Sequence, residues 1–231
     1  MATTTHKHHR ASTPDSLDLS EIGRRIWDNL PLLLFIGLVL AASALPVLLV
    51  ASAGLAIVAF PVAVLTCGPV WGGIVAAADR LNLDAPVSVK AFFRLVRQHA
   101  VAGILVTLVP ALLATALLGT ISLWATNPES RWLLLPLLLD CSLAILVLAS
   151  GVAVYSLATT SGLRGWNLWR ASLAVAVASP LATVGSLTLF ALSGLLLSHL
   201  APLLLPVILA PFAVLSSAIT WSTVNRHAPI A

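Results

Sequence analysis

Two stretches of the chain carry no Asp, Glu, Lys or Arg: 50 residues between Asp28 and Asp79, and 55 between Arg170 and Arg226. A helix needs about 20 apolar residues to cross a bilayer, so each stretch predicts two helices joined by a tight turn. In the first stretch Ala51-Ser52-Ala53-Gly54 is the best turn, which puts spans at residues 30–50 and 55–78. A third span follows His99, at residues 100–124, and ends before the turn signal Asn127-Pro128-Glu129. A fourth starts at Trp132 and covers residues 132–157, and the second charge-free stretch adds spans at 172–197 and 201–224, joined at Ser198-His199. The expected fold is all-α: a polytopic transmembrane bundle of six spans over residues 19–231, after a disordered tail at 1–18. Five spans are the alternative count.

Shorter amphipathic patterns lie between the spans. Leu19, Ile22, Ile26 and Leu30 line one helical face, with Asp18 and Glu21 at capping-box spacing. Asp84-Ala85-Pro86 predicts a helix start, with Asp as cap and Pro in the first turn. Val89, Phe92, Phe93 and Val96 then fall at i, i+3, i+4 and i+7, opposite Lys90, Arg94, Arg97 and Gln98. That pattern predicts an interfacial helix at 86–98 with its cations among anionic headgroups. In the connector at 158–171, Trp166 and Trp169 beside Arg164 and Arg170 read as a membrane-interface anchor.

Charge placement sets the expected orientation. Six spans put the N-tail, the 79–99 loop, the 158–171 loop and the C-tail on one side, where 11 of the 12 Lys and Arg residues fall; only Arg131 lies opposite. The positive-inside rule then makes both termini cytoplasmic. Composition agrees with the spans: 59% hydrophobic and 9% charged residues cannot cover a water-soluble globule, which carries about 25% charged residues. The net charge of +4 comes from these short clusters, so it does not indicate nucleic acid as a partner.

Few residues offer chemistry. Asp140 is the one Asp, Glu, Lys or Arg expected inside a span, about 12 Å along the helix from Trp132. An unpaired carboxylate there is costly, so it is either a proton or substrate site or a neutral carboxyl bonded to a neighbouring helix. His199, near the opposite turn, is its one candidate partner. Gly68 and Pro69, in Thr66-Cys67-Gly68-Pro69-Val70-Trp71-Gly72-Gly73, give two readings. One is a broken helix exposing backbone groups to a substrate. The other is a kinked helix packed closely through the Gly68–Gly72 spacing. Cys67 and Cys141 both sit in apolar runs and read as packing residues. The histidine cluster His6, His8 and His9 is not read as a metal site, and no cofactor is implied. There is no phosphate-cradling Gly-rich loop, GxSxG or HExxH. The chain is expected to be non-catalytic.

The order of elements resembles a known family. It begins with Ile26-Trp27-Asp28-Asn29-Leu30, a charge-free helical pair and a Gly-Pro element late in the second span. Asp79-Arg80-Leu81 and the aromatic-basic run Val89-Lys90-Ala91-Phe92-Phe93-Arg94-Leu95-Val96-Arg97-Gln98 follow. Over residues 20–120 this is similar to the YesL-like family of small bacterial membrane proteins. Thr66-Cys67-Gly68-Pro69 departs from the Pro-Ala-Thr-like element expected there. The resemblance implies a non-catalytic accessory or assembly component associated with solute uptake, including carbohydrates. Its partner would be a transporter permease subunit or a second copy of itself. The rival reading is a small transporter that uses the broken second span and Asp140.

Overall fold

The computed structural model describes residues 19–127, 129–181, 183–188, 191–192 and 205–227. The expected tail at 1–18, the histidine cluster within it and the Ser198-His199 joint lie outside these residues, so His199 has no described place. Among the described residues all regular structure is helical. Seven helices are named here: α1 (Leu19–Asp28), α2 (Leu30–Ser52), α3 (Ala56–Asn82), α4 (Val89–Thr126), α5 (Leu134–Thr160), α6 (Gly165–Ala178) and α7 (Leu205–His227). Among the described residues four stretches are long and apolar enough to cross a membrane: Leu30–Ser52, Ile57–Asn82, Val89–Thr126 and Arg131–Gly151. A shorter apolar stretch, Leu209–Val224, lies within α7.

The first turn falls where the sequence puts it. α2 ends at Ser52, and Gly54 takes φ +80°, a left-handed conformation that suits a residue without Cβ. α3 then runs unbroken through Pro61 and Pro69, so the broken-helix expectation at Gly68 and Pro69 is not met. Its second half is the centre of the molecule: residues 72–79 are buried on every side. Small side chains make this burial feasible, because Gly72, Gly73, Ala76, Ala77 and Ala78 let neighbouring backbones come close. α4 uses that space. A Cβ on Gly103 would lie 2.2 Å from the Gly68 carbonyl oxygen, and one on Gly73 would lie 2.8 Å from the Val96 Cα.

Three expectations need correction. The stretch 86–98 is not a separate helix, because α4 runs from Val89 to Thr126 without a break, 38 residues or about 57 Å. Its cap is Ser88, whose Oγ accepts the Ala91 amide at 3.2 Å, and not Asp84, which turns the chain at φ +55°. Nothing in Lys90–Gln98 stops a helix, so the apolar residues that follow simply extend it. The fifth span is expected at 172–197; α6 already starts at Gly165 and stops at Ala178, and helix resumes at residues 180–181 and 183–188. Ser179 leaves the helical region at φ −132° and ψ 66°, as the residue before Pro180 tends to do.

The core joins Leu33, Ile36 and Leu40 of α2, Val70 and Ile74 of α3, Phe92 and Leu95 of α4, and Ala210, Ala213 and Val214 of α7. A second cluster packs Val106 of α4 against Ala153, Val154 and Leu157 of α5 and Leu168 of α6. α7 therefore lies against α2 and α3, and α6 against α5.

Candidate functional site

One carboxyl is buried where three helices meet, and it is Asp79, in the last turn of α3. It is 4% exposed. Its Oδ1 accepts the Ser217 hydroxyl and, at 3.2 Å, the Trp221 indole N–H, both from α7. Its Oδ2 accepts the Thr159 hydroxyl of α5 at 2.8 Å. One turn on, Asn82 donates from Nδ2 to Ser217 Oγ at 3.0 Å and to the Val214 carbonyl at 3.1 Å. Arg25 of α1 closes the group from outside. Its Nη1 donates to the Asn82 carbonyl at 2.7 Å, and its Nη2 meets Asp84 at 3.0 Å. Four helices are thereby tied at one end of the bundle.

Beyond this knot lies a cavity of about 360 Å³ between α3, α4, α5, α6, α7 and the helical residues 183–188. Cys67, Trp71 and Val75 face it at four-residue steps along α3, and Asp79 is the next residue in that register. The walls are mostly apolar. Tyr155 crosses Trp71 edge to face, with ring centres 6.2 Å apart, and its hydroxyl shares a 2.8 Å hydrogen bond with Thr107. Ser186 also faces the cavity, is 2% exposed, and its Oγ has no hydrogen-bond partner among the described residues. A cavity of this size matches the lower range of small-molecule pockets, about 300–1,000 Å³, with a few polar groups set in apolar walls.

The residues singled out from sequence fall elsewhere or take other roles. Asp140 of α5 is half-buried and accepts the Thr120 hydroxyl of α4 at 2.7 Å, away from the cavity lining. Gly68 packs against Gly103 and Thr107, and Pro69 continues the helix. Phe92 is fully buried within the protein. Phe93, 49% exposed, meets Phe35 edge to face at 6.1 Å. Lys90, Arg94, Arg97, Arg170 and Trp166 are exposed, whereas Trp169 is half-buried and lines the cavity. No group of three or more His, Cys, Asp and Glu stands together among the described residues.

Asp79 was missed because its charge was read as the end of a span. A signal for it existed in α7, where Ser216, Ser217, Thr220 and Thr223 interrupt an apolar helix at helical spacing. Ser217 turns across to a neighbouring helix, while Ser216, Thr220 and Thr223 bond carbonyls of α7 itself. No family model, curated protein or solved structure matches this chain.

Proposed function

We propose that the chain is a small, non-catalytic carrier of the inner membrane that takes its solute into the space between α3, α4, α5 and α7. The observation that carries this reading is the cavity, about 360 Å³ at the meeting point of the bundle's long helices. Asp79 supports it, since ionisable groups within membrane helices are costly and often mark solute or ion paths. Wide apolar walls with few hydroxyls suit a largely apolar solute better than the carbohydrates implied by the family resemblance.

The proposed topology keeps six crossings and cytoplasmic termini. Its supports are the 11 cations of 12 on one side and the meeting of α1 with the ends of α3 and α7, to which Asp79 ties the end of α5. On this topology α1 and the first turns of α4 lie at the inner surface, with Lys90, Arg94 and Arg97 toward anionic headgroups.

An accessory subunit packed on a permease, or on a second copy, is the second reading, as the YesL-like resemblance implies. The outer halves of α4 and α5 favour it, because Leu112, Leu135, Leu138 and Leu139 leave a long apolar face exposed.

Thermal unfolding of the purified protein against apolar solutes of neutral, cationic and anionic charge tests the carrier reading. A solute that binds the folded state raises its melting temperature. Gly151 lines the cavity, and a Cβ there meets nothing within 4 Å, so Gly151→Leu fills the space from an open position. The expected result is a solute-dependent rise in the parent that Gly151→Leu loses. An equal rise in both proteins would refute the site. A permease co-purifying in fixed ratio, with no solute effect, would support the accessory reading.

A further inference from the structure

We propose that the cavity takes a monovalent organic cation with an aromatic or branched hydrocarbon body, and that Asp79 is its counter-charge. This rests on the carrier reading of the cavity and adds the charge class of the solute.

The walls supply the first argument. Trp71, Tyr155, Trp169 and Phe212 come from four helices onto one space. Aromatic faces attract cations, tryptophan most strongly, and attract them more when water is excluded. Anions find no Lys or Arg in the lining.

Asp79 supplies the second argument. It lies one turn beyond Val75, about 6 Å along the helix axis. Ser156 and Ser216 line the cavity at this end, and Ser217, next to Ser216, donates to the carboxyl. The partners seen on Asp79 are two hydroxyls and an indole, all neutral. Arg80, Lys90, Arg94, Arg97, Arg164 and Arg170 at this end are exposed. Arg25 is directed to the Asn82 carbonyl and Asp84. His99, half-buried on α4, is the titratable group of a neighbouring helix that feels the Asp79 charge. Ionised beside a bound cation, a carboxylate held by neutral donors keeps its field, and in an apolar site that field reaches several ångströms. It draws in a cation and rejects an anion of the same shape.

Tetraphenylphosphonium and tetraphenylborate provide such a pair, nearly identical in shape and opposite in charge. The full-length protein is purified in detergent with Cys141→Ala, which leaves Cys67 on the cavity wall as the single thiol. The rate at which a maleimide modifies Cys67 is measured as each ion is titrated. The expected result is protection by the phosphonium at a concentration on the order of tenfold lower than by the borate. Asp79→Asn should erase that preference, Asp79→Glu should keep it, and Gly151→Leu should abolish protection by either ion. Equal protection by both ions would leave the cavity a site and overturn the cationic class. Protection by neither would overturn the carrier reading as well. A preference that survives in a folded Asp79→Asn protein would remove Asp79 from the account.

Discussion

The two halves of the α4–α5 pair sit in different surroundings. Near the Asp79 knot, α4 is pressed against α3 so closely that Gly103 has no room for a Cβ, and α5 buries Ala153, Val154, Ser156 and Leu157. At the far end, among the described residues, the two helices meet mainly each other and the Arg131–Leu133 turn, and Leu135, Leu138 and Ile145 are exposed. Only 6% of the most apolar stretch of Arg131–Gly151 is buried, against 39% for Ile57–Asn82. A carboxyl stands at each half: Asp79 of α3 beside the inner half, and Asp140 of α5 within the outer one. Asp79 binds donors from two other helices, and Asp140 binds one hydroxyl across a hairpin. Which half of that pair a carboxyl meets thus decides whether it ties several helices together or only one hairpin.

The sharpest way to break this comparison is a pair of glycines on α4. Gly103→Val forces the new side chain into the Gly68 carbonyl and should cost about 3 kcal/mol or more, at the upper end of overpacking effects. Gly119→Val, where a Cβ meets nothing within 4 Å, should leave the melting temperature nearly unchanged. Similar losses in both would mean that the α3–α4 crossing is looser than described.

A smaller contrast separates the carboxyls. Asp79→Leu strips the acceptor from Ser217, Thr159 and Trp221, and a buried donor left unpaired costs about 1–3 kcal/mol. Asp140→Leu removes one hydrogen bond, and such bonds in membrane bundles average about 0.6 kcal/mol. Denaturant unfolding in mixed micelles should rank Asp79→Leu as clearly the less stable. The reverse order would exchange the roles assigned to the two residues.

The smallest effect is expected at the outer edge of the knot. Arg25→Gln removes the ion pair with the exposed Asp84, worth about 0–1 kcal/mol, and the hydrogen bond to the Asn82 carbonyl. It should loosen α1 without moving the global transition, seen as faster proteolysis near residues 19–28. Loss of the global transition would show that Arg25, and not Ile22 in the core alone, holds α1 to the bundle.

The sequence disclosed most of this frame, for physical reasons. Charge-free runs of 50 residues leave few alternatives to paired helices, and Gly54 and Asn127 end them where turns were expected. Two errors share one origin, the reading of a polar residue as a boundary. Asp79 was taken to end a span, although three donors from other helices hold it inside the bundle. Lys90, Arg94 and Arg97 suggested a separate surface helix, although a helix is indifferent to charges on its exposed side. Pro180, by contrast, did mark a boundary and was read through. The close crossing at Gly68 and Gly72 was visible in their spacing, whereas Gly103 as their partner emerges only in three dimensions.

The central claim is that the site lies at the Asp79 end and not at Asp140. Flux of tetraphenylphosphonium into proteoliposomes, above that of protein-free vesicles, tests it most directly. Folded Asp79→Asn and Gly151→Leu proteins should show no flux beyond the vesicle background, while Asp140→Asn should match the parent. Flux that survives in both Asp79→Asn and Gly151→Leu but disappears in Asp140→Asn would contradict the account.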